Sequence, residues 1–393
     1  MTPAATAADL RPRPLEVVCG LVINGQLHGP KLGRARSADL RAALERSVLP
    51  ALRAPPCLVS FSGGRDSAAV LAIAASVARR EGLALPIPAT YRFPDAPATR
   101  EDGWQEDVVR HLGLADWECL TMSSELDSVG PVAQSVLRRH GVLWPFNAHF
   151  HVPLFERAAG GSLLTGIGGD ELLGPQRWHA AQRVLAGRVA PRPRHLRTAG
   201  LALSPVPMRR AVLARRRQLR WPWLHPDVDA LINRRRADWQ ARTPLRWDAA
   251  LARWWQSRTR SVLSQTFGLL AQDAGAQAVH PFLDRAVLRT AAARYGPRGP
   301  VDRSTAMRDL FGELLPASVL ARRSKASFDE AFCSDHSRAF AARWSGSGVD
   351  RTLVDPEEVA AMWNAVQPDP RSFSLMQAAW LASEGLNDQE ERI

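Results

Sequence analysis

The chain has 393 residues, a formal net charge of +12 and an apolar fraction of 46%. This length allows a large core in one or two domains. No apolar run approaches the ~20 residues that a membrane span needs. The Ala/Pro-rich start also lacks the apolar stretch of a signal peptide, so we predict a cytoplasmic protein without membrane contacts. The positive charge favours ligands that carry phosphates or carboxylates.

The cysteines give no sign of a metal or disulfide framework. They are scattered along the chain, and no CxxC pair occurs among Cys19, Cys57, Cys119 and Cys333. Structural zinc sites and small disulfide scaffolds both rely on closely spaced cysteines. We therefore expect neither.

The first elements are expected to form a short N-terminal region over residues 1–53, with a strand over 17–26 and a helix over 37–52. Residues 57–61 are apolar and read as a buried strand. They run into Ser62-Gly63-Gly64-Arg65-Asp66-Ser67 and then into an alanine-rich helix over 67–80. Glycines let a backbone approach an anion closely, and the first N–H groups of a helix bind phosphates. This turn therefore predicts a nucleotide site. The alternative is a glycine turn with no ligand.

Strands and helices then alternate. Strands are predicted over 85–93, 116–122 and 161–165, and helices over 100–112, over 130–140 and up to 159. This alternation predicts an α/β fold with a doubly wound parallel sheet, in which ligands bind at the carboxyl ends of strands. Residues 175–260 are rich in arginine and tryptophan, and the chain after 260 reads as mostly helical.

A second glycine turn follows the fourth predicted strand, in Thr165-Gly166-Ile167-Gly168-Gly169-Asp170-Glu171. Turns from neighbouring parallel strands face each other at one edge of the sheet. Asp66 repels phosphate directly, but Asp66 and Asp170 together suit a Mg²⁺ ion that also binds ATP. The alternative is a helix stabilised by acids in its first turn.

Together the two turns resemble the synthetase domain of the asparagine synthetase family, within the ATP pyrophosphatase superfamily. Two further segments match in the same order. They are HPFLD at 280–284, and LLP at 314–316 followed by RRSKASF at 322–328. The resemblance covers roughly residues 55–335. It implies the adenine nucleotide alpha hydrolase-like fold over 54–393, with a largely helical C-terminal part, and cleavage of ATP between the α and β phosphates.

The resemblance assigns roles residue by residue. Asp66 and Asp170 match the Mg²⁺ carboxylates, and Lys325 matches the lysine that contacts the phosphates, so these three are the expected catalytic residues. Arg308 loosely resembles a basic residue before the LLP segment, and Asp284 is expected to order its loop. The remaining positions in the two turns are the expected ATP-binding residues: Ser62, Gly63, Gly64, Ser67, Gly166 and Gly168.

Two departures from the family bear on the substrate. The family's amidotransferase domain begins with a catalytic cysteine, and the ~50 residues before the first glycine turn are too few to hold that domain. Ile167 stands where asparagine synthetase has a glutamate used in amine activation. An isoleucine cannot transfer a proton. Family relatives with other substrates also vary at this position: β-lactam synthetases and lasso-peptide macrolactam synthetases use the same ATP machinery to join a carboxylate to an amine already on the substrate.

We therefore expect an ATP-dependent, AMP-forming amide ligase that closes a macrolactam on a ribosomal precursor peptide. That peptide is the expected partner, with leader-binding and protease proteins as further candidates, and no nucleic-acid partner is expected. His149 and His151 are candidate bases. The tryptophans of the arginine-rich segment are candidates for a peptide groove or for core: Trp221, Trp223, Trp239, Trp247, Trp254 and Trp255.

Three other functions stay open from the sequence. An ammonia-dependent asparagine synthetase-like enzyme would act on a small molecule. A tRNA-modifying pyrophosphatase would share SGGRDS and use the positive charge, but it leaves TGIGGDELLG and HPFLD unexplained. A non-catalytic scaffold would bind nucleotide without turnover.

Overall fold

A computed structural model describes residues 11–27, 30–33, 35, 37–187, 190, 192–216, 219–322 and 327–385. Lys325, one of the three predicted catalytic residues, lies outside these ranges. Within them, no helix has the length and apolar character needed to cross a bilayer.

A parallel sheet of five strands organises the molecule. Its strands are β1 (Cys57–Ser60), β2 (Ile87–Arg92), β3 (Glu118–Thr121), β4 (Ser162–Leu164) and β5 (Gln277–Val279). Their spatial order is β3-β2-β1-β4-β5, and every neighbouring pair is parallel. β1 therefore lies at the centre, where the strand order reverses, and this is the position at which such sheets bind ligands. The predicted α/β class is confirmed.

Helices accompany the strands and then take over the second half of the chain. In the first half they are α1 (Pro14–Cys19), α2 (Leu40–Leu52), α3 (Arg65–Glu81), α4 (Asp102–His111), α5 (Pro131–His140), α6 (Val152–Arg157) and α7 (Gly169–Leu173). The arginine-rich segment holds α8 (His179–Leu185), α9 (Pro193–Leu203), α10 (Val206–Arg215), α11 (Pro226–Ala241) and α12 (Trp247–Trp255). The rest are α13 (Arg258–Asp273), α14 (Arg285–Tyr295), α15 (Arg303–Phe311), α16 (Ala317–Ala321), α17 (Asp329–Phe332), α18 (Asp335–Arg343), α19 (Pro356–Trp363) and α20 (Phe373–Ser383).

Both faces of the sheet are covered, because alternate residues of a strand point to opposite sides. In β1, Cys57 and Val59 pack in one apolar cluster with α2, α3 and α14. Leu58 packs in another with α6 and α13. The first cluster includes nearly the whole length of α3, whose small alanines allow close approach to the sheet. The central strand is thereby held rigidly from both sides.

The N-terminal segment differs from its prediction. The strand expected over 17–26 is absent from the described part of that range, where α1 ends at Cys19 and only Gln26 forms an isolated bridge, to Ser257. Tertiary contacts decide this. Trp223 donates its indole N–H to the carbonyl of Val18 at 2.8 Å, and Glu16 is buried beside α13. The helix expected over 37–52 begins later, at Leu40, because Asp39 caps it by accepting from the amide of Ala42.

Candidate active site

The first glycine turn joins the centre of the sheet to α3. Gly63 has a φ of 81°, and a Cβ at this position would lie 2.9 Å from Gln105 and 3.0 Å from the carboxylate of Glu101. Only glycine fits there. Ser67 closes the turn: its hydroxyl donates to the carbonyl of Gly64 at 3.0 Å and accepts from the amide of Ser62 at 3.3 Å. The predicted loop thus has a fixed shape at the start of α3.

A buried ion pair supports this turn from below. Arg322 donates to the carbonyl of Gly63 at 2.9 Å and to Glu101 at 3.0 Å. The side chains of Arg322 and Glu101 are only 5% and 4% exposed, and the guanidinium lies over the ring of Trp104. Removing either residue would deprive the other of its buried countercharge, so the pair holds the end of α16 at Arg322 against the loop. Sequence reasoning missed this pair, although Arg322 opens a recognised motif.

The second glycine turn packs directly against the first. A Cβ on Gly166 would lie 2.7 Å from the amide nitrogen of Ser67, and one on Gly169 would lie 2.5 Å from Asp66 Oδ1. Gly168, at a φ of 97°, precedes α7. These glycines therefore let α7 approach the first turn of α3. The structure brings the two predicted turns together.

Arg303, the first residue of α15, joins the two predicted carboxylates. One of its terminal nitrogens lies 2.5 Å from Asp66 Oδ2, and the other contacts Asp170 Oδ1. Burial, and then the neighbouring Arg303 charge, lower the pKa of Arg65. Sequence reasoning pointed instead to Arg308, which is exposed and donates to the hydroxyl of Thr305 at 3.5 Å, away from both carboxylates. Arg303 was missed because no local pattern marks it.

One carboxylate oxygen at this junction has no hydrogen-bond donor within the described residues. Asp66 Oδ1 is buried and has no hydrogen-bond partner within the described residues. Those residues hold no cluster of three or more histidine, cysteine, aspartate or glutamate side chains suited to a metal. Mg²⁺ commonly takes one or two protein carboxylates and completes its shell with phosphate and water. The pair Asp66 and Asp170 fits that ion.

The residues on either side of the undescribed 323–326 segment are anchored near the loop. Arg322 contacts Gly63, and the amide of Ser327 donates to the carbonyl of Ala98 at 3.2 Å. Lys325 therefore follows Arg322, which contacts the glycine turn directly, by three positions in the sequence.

A cavity of about 360 Å³ opens beside Asp170. Trp239 and Trp254 contribute aromatic walls, and Arg253 stacks on Trp239 with 3.9 Å from guanidinium carbon to ring centroid. Burial lowers the pKa of Arg253 and of Arg177, which also lines the cavity. The other candidate tryptophans lie away from this cavity. Trp255 donates its indole N–H to the carbonyl of Pro30, and three are fully buried: Trp221, Trp223 and Trp247.

Of the two candidate bases, His149 is buried and His151 is half-buried. Both ring nitrogens of His149 face backbone carbonyls, of Phe146 at 3.1 Å and Leu126 at 2.9 Å, so these contacts favour a structural role over that of a base. His151 packs edge-on against Phe267, and burial lowers its pKa to about 3, which makes it a weak base at neutral pH.

The HPFLD segment orders the second glycine turn. His280 Nδ1 lies 2.6 Å from the hydroxyl of Thr165, where that turn begins. Asp284 accepts hydrogen bonds from the amides of Ala286 and Val287 and so caps α14, the loop-ordering role expected of it.

Comparison with known proteins identifies the family. The family model described as asparagine synthase matches residues 39–386, which is most of the chain and includes both glycine turns. A comparison with curated proteins returns no match. The matched range begins just before α2 and ends just after α20. The chain belongs to the asparagine synthase family, and is accordingly an ATP-dependent carbon–nitrogen ligase.

Proposed function

We propose that this ligase activates a carboxylate of a peptide as an acyl-adenylate and joins it to an amine of the same peptide, closing a macrolactam. The observation that carries the proposal is the convergence of Asp66 and Asp170 on Arg303, beside a cavity walled by tryptophan and arginine. The carboxylates supply the phosphate end of the site, and the cavity supplies room for a substrate larger than ammonia or aspartate.

In the first step, an oxygen of the substrate carboxylate attacks the α-phosphorus of ATP, and the bond to the β-phosphate oxygen breaks. Backbone amides at the start of α3 and the hydroxyl of Ser62 donate to the departing pyrophosphate, while Ser67, whose hydroxyl donates to the carbonyl of Gly64, keeps the turn in shape. Mg²⁺ held by Asp66 and Asp170 would neutralise charge on the phosphates. Lys325 is proposed to contact the same phosphates, close in sequence to the anchored Arg322.

In the second step, the amine nitrogen attacks the acyl carbon, AMP departs with the electron pair, and the proton released from the amine passes to solvent water. Ile167 supports an amine carried by the substrate. It lies in the second turn, partly buried against the cluster around β4, and has no group that transfers a proton. An amine already tethered to the adenylate needs positioning above all, and proximity alone supplies several kcal/mol.

The proposed partner is a ribosomal precursor peptide, with leader-binding and protease proteins acting in the same pathway. The mixed lining of the cavity suits a peptide. Trp239 and Trp254 offer apolar faces, while Arg177 and Arg253 offer donors for carbonyl and carboxylate oxygens.

The proposal is tested by ATP–pyrophosphate exchange with Mg²⁺, offering either a candidate precursor peptide or free aspartate. The variant Asp66→Asn removes a proposed metal carboxylate while keeping its shape. Its matched control is Asp116→Asn, because Asp116 is exposed in the loop before β3, an edge strand of the sheet.

We expect exchange with the peptide, a loss of about 100-fold or more in Asp66→Asn, and no loss in the control. Exchange with aspartate alone would show that the substrate is a small molecule and not a peptide. Tight ATP binding without exchange for either substrate would contradict adenylation and favour a scaffold.

A further inference from the structure

A second cavity, of about 630 Å³, lies between the N-terminal segment and the hairpin of α10 and α11. Residues 13 and 23–25 form one wall, and Arg210, Arg234 and Arg235 are on the other. Its volume lies in the range of cavities that hold small ligands. The adenylation chemistry uses none of its lining residues.

The N-terminal wall is fixed in place by buried polar contacts. Arg258 pairs with Glu16 at 2.9 Å, with side chains only 2% and 1% exposed. The same carboxylate accepts from the amide of Ile23 at 2.9 Å. Asn24 accepts from the amide and the hydroxyl of Thr259. A wall anchored at successive points keeps its shape without a ligand, so the cavity is a preformed site.

The cavity carries an excess of positive charge. Four arginines line it, and Asp238 is the one acid among its lining residues. Asp238 already pairs with Arg242 at 2.9 Å and lies 3.7 Å from Arg210. Arg234 and Arg235 are exposed, and neither forms an ion pair with any residue that the structure describes. Clustered like charges repel, so this arrangement favours an anionic ligand.

The chemistry of the lining favours carboxylates on a peptide over a nucleic acid. Ile23, Ala211 and Ala214 give the cavity an apolar floor. No aromatic side chain lines it among the described residues, whereas sites for single-stranded nucleic acid stack bases on aromatic rings. Arginine forks bind carboxylates through paired hydrogen bonds. We propose that this cavity binds an acidic segment of a peptide or protein partner.

The position of the cavity connects it to the candidate active site. Asp238 lines this cavity, and the next residue of α11, Trp239, lines the cavity beside Asp170. α11 therefore contributes to both, and a chain bound at the arginines lies close to the tryptophan-walled cavity. Binding of an acidic segment at these arginines does not require adenylation.

The test uses a fluorescein-labelled octapeptide of alternating glutamate and alanine, followed by fluorescence anisotropy on the full chain. The same peptide with glutamine in place of glutamate is the neutral comparison. The variant Arg234→Glu/Arg235→Glu reverses two unpaired charges of the cavity. Arg46→Glu/Arg53→Glu is the matched control, because these residues are exposed at α2 and form no ion pair within the described chain.

We expect the acidic peptide to bind, the neutral peptide to bind at least about tenfold more weakly, and the cavity variant to lose at least about tenfold in affinity. The control should retain its affinity, and circular dichroism should show both variants folded. Equal losses in the two variants, or no binding by wild type, would overturn the proposal. If a single-stranded oligonucleotide bound more tightly than the peptide, and this binding depended on the same two arginines, the ligand would be a nucleic acid and the proposal would be overturned.

Discussion

Arg303→Gln should raise the affinity of the site for a divalent cation in the absence of ATP. Arg303 bridges Asp66 and Asp170, so a cation must displace it or share the carboxylates. The contact with Asp66, with side chains 19% and 21% exposed, is worth about 1.5–3 kcal/mol as a hydrogen bond between charged groups. Asp170 is 68% exposed, so solvent reduces its contact to about 1 kcal/mol or less.

Removing this competition corresponds to at least about a tenfold gain in cation affinity, since ~1.4 kcal/mol is a factor of ten. Titration with Mn²⁺ followed by electron paramagnetic resonance measures it directly. Arg308→Gln is the control, on the same helix and exposed, and should leave the affinity unchanged. Unchanged or weaker Mn²⁺ binding in Arg303→Gln would refute the reasoning.

Three further changes follow from the contacts of the site. Gly169→Ala places a methyl group 2.5 Å from Asp66 Oδ1, so pyrophosphate exchange should fall by about 100-fold or more while the thermal midpoint stays within a few degrees. Arg322→Met removes the guanidinium that pairs with the buried Glu101 carboxylate and should cost about 3–5 kcal/mol in urea unfolding. Burial lowers the pKa of His280 to about 4 in the folded protein. As pH falls below about 6.5, His280 is therefore protonated in the unfolded chain before it is protonated in the folded one. The free energy of unfolding should therefore fall between about pH 6.5 and pH 4, and His280→Asn should flatten that slope.

For each of these three predictions, a control or a specific result would contradict it. Gly268→Ala is the control for the glycine, since that position on α13 is open and exposed, and it should gain about 0.5–1 kcal/mol. If Gly169→Ala and Gly268→Ala changed pyrophosphate exchange equally, close packing of residue 169 against Asp66 would not explain the loss. Glu101→Gln/Arg322→Met should recover much of the stability that Arg322→Met loses, and full additivity of the two changes would mean that they do not interact. An unaltered pH slope in His280→Asn would show that another group titrates there.

The central part of the fold was predictable because its signals are local. An apolar run, a glycine turn and an alanine-rich helix follow one another at 57–81, and the structure has β1, the turn and α3 at these positions. β5 was not predicted, since a strand of three residues leaves almost no pattern. The strand expected over 17–26 was wrong because Trp223 and Arg258, more than 200 residues away, hold that segment.

The candidate site shows the same division. The positions of Asp66 and Asp170 at facing turns followed from two motifs and the geometry of parallel strands. Arg303 and the Glu101–Arg322 pair lie on elements that meet the turns only in three dimensions, so no spacing marks them. The rule that ligands bind at the carboxyl ends of parallel strands predicted where the candidate site lies. Only the structure identified the residues that contact the two carboxylates and support the first glycine turn.

The most direct test of the account is isotope transfer from the substrate carboxylate. A precursor peptide whose activated carboxylate carries oxygen-18 is incubated with the protein, ATP and Mg²⁺, and the products are examined by mass spectrometry. Formation of an acyl-adenylate predicts one labelled oxygen in AMP, with unlabelled pyrophosphate and a peptide lighter by one water. Label in inorganic phosphate alongside ADP, or cyclised peptide with unlabelled AMP, would contradict the proposed chemistry.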